Sequence, residues 1–255
     1  MHLKIDKILI PTDFSACAEV ALTQAVVLAR LHQAELHFLH VVMSHEEDPY
    51  SLVYQMPEWQ NLYARQKARC SEEMTELLAA IDLGDVAVRL HIEQSHVAAP
   101  AILDAAKAQG ADLIVMGTHG RLGFRRFLLG SVAEEVVRSA PCPVLTVSEH
   151  STPIRDNWPQ RITVPIDFSE HSKLALRVAK QLAASPEPDG TQLDLVHVVE
   201  HPVYPNLYNP LADGAADDAL PHIVRKVEQG IARFIEDTGG PDVACEIKVS
   251  EGRAA

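Results

Sequence analysis

Lys7-Ile8-Leu9-Ile10-Pro11-Thr12-Asp13-Phe14-Ser15 runs from an apolar segment into a turn, and its second half returns as Val164-Pro165-Ile166-Asp167-Phe168-Ser169. A short apolar run closed by Asp and Ser reads as a buried strand handing over to a capped helix. Further out, Leu36-His37-Phe38-Leu39-His40-Val41-Val42 returns as Leu193-Asp194-Leu195-Val196-His197-Val198-Val199. Val86 to Ala98 also overlays Val243 to Ala255 without a gap. Order and spacing are kept, apart from a short extra stretch at Ser185–Gly190. Such self-similarity predicts two copies of one fold in tandem.

In the first copy, strands are expected at Lys7–Thr12, Glu35–Val42, Val86–Glu93, Asp112–Gly117 and Pro143–Val147. Helices are expected at Ala16–Gln33, Leu62–Ile81, Pro100–Gln109 and Ser131–Ser139, while Ser44–Asn61, broken by Pro49 and Pro57, reads as irregular. This alternation predicts an α/β fold: a doubly wound, Rossmann-like, five-stranded parallel sheet in the order 3-2-1-4-5. Ligands of such sheets lie at the carboxyl ends of the strands. The second copy offers strands near Ile162–Pro165, Gln192–Val199 and Val243–Val249, and then stops. The expected organisation is a complete domain at 1–148, a linker at 149–160 and a truncated second domain at 161–255. The first strand of that second domain is expected to have an open edge.

The 255 residues carry a formal net charge of −13, which argues against nucleic acid or an anionic membrane as a partner. No apolar run reaches the roughly 18 residues of a membrane span. The chain enters its first strand at once, unlike a signal peptide. Cys17, Cys70, Cys142 and Cys245 form no CxxC pair, which suits reduced thiols in a cytoplasmic protein. The histidines have neither helical HxxxH nor chelating spacing with cysteine, so no metal site is expected. His40 and His91 read instead as hydrogen-bonded sheet residues.

The strongest local signal follows the fourth strand: Met116-Gly117-Thr118-His119-Gly120, then Gly130-Ser131. Gly117 and Gly120 bracket a turn in which a backbone can approach a ligand closely. Gly130-Ser131 opens a helix whose first amides lack internal partners and, with the helix dipole, favour an anion by roughly 0.3–1 kcal/mol at an exposed site. Arg121, Arg125 and Arg126 between them form a positive island in an acidic chain. Two other readings stand beside this one. Ser131 with Glu134 matches a capping box that would merely start a helix, and glycine turns also serve tight packing.

Gly-x2-Gly-x9-Gly-Ser, together with Pro-Thr-Asp-Phe-Ser and His-Val-Val, resembles the ATP-binding branch of the universal stress protein family. Ser139-Ala-Pro-Cys-Pro-Val-Leu145 is similar to the same family's closing strand. The resemblance covers the first copy and half of the second. It implies that Pro11, Thr12 and Asp13 line the adenosine end of the crevice and that Val41 binds adenine through its backbone. Met116, Gly117, His119 and Gly120 would contact ribose and phosphates, and Gly130, Ser131 and Val132 would hold the phosphate tail. Asp13 could instead cap the first helix, or help hold Mg²⁺ with the ATP. Two departures matter. Ser95 stands where the family usually has glycine, though Gly252 holds that place in the second copy. The second copy keeps Asp167 and Val198 but has no glycine motif.

The resemblance therefore points to a stress-response regulator that binds ATP and acts through occupancy. Alternatives are a slow ATP hydrolase or autophosphorylating enzyme, and a scaffold without nucleotide. A Walker lysine and a G-x-S-x-G elbow are both lacking, so no catalytic residue is assigned and at most weak ATPase activity is expected. The family's last strand pairs with its twin, which implies a homodimer through Pro143–Val147.

Overall fold

The computed structural model describes residues 4–43, 57–118, 129–151, 160–184, 191–199 and 215–252. The chain divides into two compact units, Lys4–Arg155 and a second that begins at Asp156.

The first unit runs β1 (Lys7–Thr12), α1 (Ala16–His32), β2 (Glu35–Met43), α2 (Pro57–Ala79), β3 (Val88–Ser95), α3 (Ala98–Gln109), β4 (Leu113–Gly117), α4 (Ser131–Ser139) and β5 (Val144–Val147). Its five strands are parallel and lie in the order β3-β2-β1-β4-β5, as the alternation predicts. Pleating sends alternate side chains of each strand to opposite faces. Leu9, Leu39, Ile114 and Met116 pack on one face against Ala99, Ile102, Leu103 and Ala106 of α3 and Ala133 and Val136 of α4. Ile8, Ile10, Leu36 and Phe38 take the other face and are fully buried. The near-continuous apolar strands of the sequence are the consequence of a sheet covered on both sides.

Two helices begin earlier than expected, both near a proline. α2 begins at Pro57, five residues before Leu62, and α3 begins at Ala98 with Pro100 inside its first turn. Proline is tolerated there because first-turn amides have no intrahelical acceptor. β3 starts at Val88 because Val86 closes a turn instead, its N–H donating to the Leu83 carbonyl.

The second unit comprises β6 (Arg161–Pro165), α5 (Glu170–Ala183), β7 (Gln192–Val199), α6 (Ala215–Thr238) and β8 (Cys245–Glu251). Its parallel sheet is ordered β6-β7-β8, with β6 at an edge. The registers repeat the first unit: Ile8 faces Leu36 as Ile162 faces Leu193, and His37 faces Arg89 as Asp194 faces Glu246. Val164, Ile166, Leu176, Leu193, Leu195 and Ile231 form its core.

Candidate functional site

The β1–α1 turn is built from consecutive side-chain acceptors. Phe14 N–H donates to Thr12 Oγ1 at 3.0 Å, Ser15 N–H to Asp13 Oδ1 at 3.1 Å, and Ala18 N–H to Ser15 Oγ at 3.3 Å. Ser15, not Asp13, is therefore the cap of α1, and Asp13 shapes the turn that presents it. Phe14 sits in the left-handed region, φ 61°, and its ring lies 4.5 Å from the His40 imidazole. His40 Nδ1 is 2.8 Å from the Thr12 carbonyl. A carbonyl can only accept, so Nδ1 carries the proton. The second unit repeats this device: Phe168 has φ 63°, Ser169 N–H donates to Asp167 Oδ1 at 2.9 Å, and His197 Nδ1 is 2.6 Å from the Ile166 carbonyl. Those bonds hold the Asp167 carboxyl well below its ordinary value, at about 2, the Ser169 hydrogen bonds being the main cause.

Val41 stands where β2 outruns β1. Glu35 N–H donates to the Asp6 carbonyl on the β1 side, and Leu36 N–H to the Ala87 carbonyl on the β3 side. Continued in steps of two, that alternation aims the backbone of Val41 toward β1. β1 ends at Thr12, the register partner of His40. The amide that a longer β1 would offer the Val41 carbonyl is that of Phe14, and it is spent on Thr12 Oγ1. The Val41 carbonyl thus faces the crevice beyond the end of β1, at the topological switch point of the sheet.

On the other side of that crevice, the two halves of the glycine motif meet. Gly130 N–H donates to the Thr118 carbonyl at 2.7 Å, and Thr118 N–H to the Val147 carbonyl at 2.9 Å. The start of α4 is in this way tied to the end of β4. Gly130 is the N-cap of α4, so the capping box read from Ser131 and Glu134 is not formed. The Glu134 side chain pairs instead with Arg138 at 2.6 Å. Ser131 and Val132 are exposed in the first turn, with no side chain capping their amides among the described residues. The amide of Gly130 itself is engaged by the Thr118 carbonyl.

Gly117 answers to packing. A Cβ there would stand 3.0 Å from Cys17 Sγ and 3.1 Å from the Cys17 carbonyl carbon, so a side chain at 117 would need α1 to give way by a few tenths of an ångström. Cys17 is buried and donates from Sγ to the Val147 carbonyl at 3.1 Å. The Met116 side chain is also buried in the core, which leaves it only its backbone to offer a ligand. Pro11, the residue before Thr12, is buried in β1. His119, Gly120 and the arginines at 121, 125 and 126 lie outside the described residues. At the end of β3, Ser95 closes its corner with its own side chain: Oγ donates to the Val97 carbonyl at 2.9 Å and accepts Val97 N–H at 3.2 Å. Gly252, its counterpart, uses φ 153°, a conformation open to glycine.

Sequence reading missed one polar cluster. His37, 2% exposed, lies with Nδ1 3.0 Å from His91 Nε2 and Nε2 3.3 Å from Glu35 Oε2, while Arg89 Nε meets Glu35 Oε1 at 2.5 Å. Burial lowers the basicity of His37 first, and His91 adds to the effect. The strand alternation already put His37 on the core face, but only register shows that His91 is its partner. Among the described residues, no group of three or more His, Cys, Asp or Glu side chains is placed to hold a metal ion. No described helix is long and apolar enough to cross a membrane.

Known proteins are similar to this chain. The chain is 35% identical over 144 residues to universal stress protein MJ0531 of Methanocaldococcus jannaschii, covering 56% of this chain and 82% of that protein. It is 32% identical over 165 residues to universal stress protein MJ0577 of the same organism, covering 60% of this chain and 100% of the relative. A solved universal stress protein from Archaeoglobus fulgidus aligns with a TM-score of 0.61 at 18% identity, over 99% of this chain and 79% of that one, which is a likeness of fold. The family model for universal stress proteins matches residues 4–148 and again 159–255, so the chain belongs to the universal stress protein family.

Proposed function

We propose that the first unit holds ATP at the carboxyl ends of β1 and β4 and acts as a nucleotide-dependent regulator of the stress response. The closure of Gly130 onto Thr118 carries this reading. On this reading the exposed first-turn amides of α4 stand beside the crevice and offer donors to phosphate oxygens. The Val41 carbonyl offers an acceptor to an exocyclic amine, which would suit a nucleotide at the switch point. The first turn of α4 would hold the phosphates through Ser131 and Val132, Gly117 and Gly130 leaving space, with His119 and Gly120 beside them. Pro11, Thr12 and Asp13 would line the adenosine end. Mg²⁺ arriving with the triphosphate would find one carboxylate in Asp13 and take its other ligands from phosphates and water.

Ser131 and Val132 are poor bases, which favours holding the nucleotide over hydrolysing it. A slow ATPase remains the alternative, and phosphate release distinguishes the two. The second unit, with no glycine motif, would bind no triphosphate in the same manner. The edge strand β5 would pair with its equivalent in a second copy, and four free cysteines suit a reducing cytoplasm. To test the reading, the purified full chain is denatured and the released small molecules are identified by mass. An adenine nucleotide is expected, released or taken up on titration. A chain that releases none and fails to bind added ATP contradicts the proposal.

A further inference from the structure

One thiol lies against the residue to which the start of α4 is tied. Cys17 is the second residue of α1, and the Ser15 cap fixes where it stands. Its Sγ donates to the Val147 carbonyl at 3.1 Å and lies 3.7 Å from Thr118 Oγ1. It also stands where a Cβ on Gly117 would come within 3.0 Å. Thr118 N–H donates to the same Val147 carbonyl at 2.9 Å, and a carbonyl with two lone pairs can take both donors. In turn, the Thr118 carbonyl accepts Gly130 N–H at 2.7 Å, and there α4 begins. The thiol, Thr118 and the cap of α4 are thus consecutive links of one hydrogen-bonded chain. Cys17 is 4% exposed, so it reaches a ligand only through that chain. The second unit supplies the contrast. It repeats the Asp, the left-handed Phe and the Ser cap, yet His171 stands at the place of Cys17 and is exposed. The buried thiol accompanies the unit that has the glycine motif.

We propose that Cys17 is a positioning residue for phosphate binding: its thiol holds Thr118 in place, and Thr118 holds the first turn of α4. The inference rests on the nucleotide reading given above and adds to it a residue of α1. Donors aimed at a ligand must be kept within about 0.5 Å of their productive place, and packing with supporting hydrogen bonds does the keeping. Without the sulfur, the space beside Gly117 is unfilled and the Val147 carbonyl loses a donor. Thr118 then gains freedom, and the amides that depend on it are held less well. The adenosine end is lined from β1 and does not hang on Thr118, so the loss falls on the phosphates. Serine keeps a donor at this place, and alanine keeps none.

The test measures equilibrium binding of ATP and of adenosine to the full chain, to Cys17→Ala and to Cys17→Ser. In Cys17→Ala the affinity for ATP is expected to fall by about 3- to 10-fold, the worth of one neutral hydrogen bond, while that for adenosine holds. Cys17→Ser restores most of the loss. A merely structural role weakens both ligands together, so an equal loss for ATP and adenosine overturns the inference. Unchanged ATP affinity in Cys17→Ala overturns it too. The S–H stretching band of wild type gives a reading that stands even if Cys17→Ala fails to fold. Hydrogen bonds in one chain polarise one another, so the band that Cys17→Ser removes should shift when ATP binds and stay when adenosine binds. A band that ignores ATP contradicts the inference. A wild type that binds neither ligand overturns the nucleotide reading as well.

Discussion

The imidazoles of His37 and His91 are stacked, with an angle of 6° between their planes and 3.0 Å from Nδ1 of the first to Nε2 of the second. Glu35 accepts from His37 Nε2, so neutral His37 presents Nδ1 as an acceptor and His91 Nε2 must donate. At the same two places in the second unit, Asp194 and Lys248 form an ion pair of 2.8 Å. One register thus carries two polar solutions, and they titrate differently.

The pH dependence follows from the signs. Burial lowers the pKa of His37 from its ordinary 6.5, so the unfolded chain binds a proton more readily than the folded one. Stability from this group is full above about pH 6.5 and falls as the pH drops below it. The Lys248 hydrogen bond lowers the pKa of Asp194 from 3.8, so that contribution is lost only below about pH 4, as the carboxylate protonates. Urea midpoints between pH 8 and 5 should drop for wild type and flatten in His37→Leu. An unchanged slope in His37→Leu would show that this pair is not the source.

Gly117→Ala should destabilise the first unit by about 1–3 kcal/mol, as overpacking does in a filled interior. The added Cβ meets Cys17 Sγ at 3.0 Å, but also Cys17 backbone at 3.1 Å and Ala18 N at 3.2 Å. Adding Cys17→Ala should therefore recover only part of the loss. Complete recovery in chemical denaturation would mean that the sulfur alone sets the fit. A loss of ATP binding in Gly117→Ala is, for this reason, poor evidence about phosphate contacts.

Ser15 and Ser169 cap α1 and α5 through hydrogen bonds of 3.3 and 3.1 Å. Replacing either with alanine should cost about 1 kcal/mol. The cost should be larger at Ser169, whose hydroxyl also bonds the Asp167 carboxylate and helps hold its pKa at about 2. Thermal unfolding of the two variants checks this, and equal costs would show that the bond from Ser169 to Asp167 adds nothing to the cap.

Much of the fold was legible because each local signal agreed with the next. Ile8–Pro11 is apolar throughout, being covered on both faces, and the repeat at 164 supplies a second reading of the same turn. Local signals misled where they had more than one use: Pro57, read as a breaker, starts α2, and Ser131 with Glu134 imitates a cap that Gly130 provides. What could not be read was whatever depends on register or closure. His91 as the partner of His37 requires strands placed side by side. Phe14 N–H lost to Thr12 requires the left-handed turn, and Gly130 joined to Thr118 requires the start of α4 to meet the end of β4.

The central claim is that backbone amides of the first turn of α4 bind the phosphates. Ser131→Pro tests it most directly, because proline at the first helical position removes one N–H while suiting the helix. Gly130 already has the extended conformation that a following proline requires, φ −72° and ψ 156°. The claim predicts that ATP affinity falls by about 10- to 100-fold, the worth of one hydrogen bond to a charged group, with the urea midpoint unchanged. Wild-type affinity for ATP in a folded Ser131→Pro chain would contradict it.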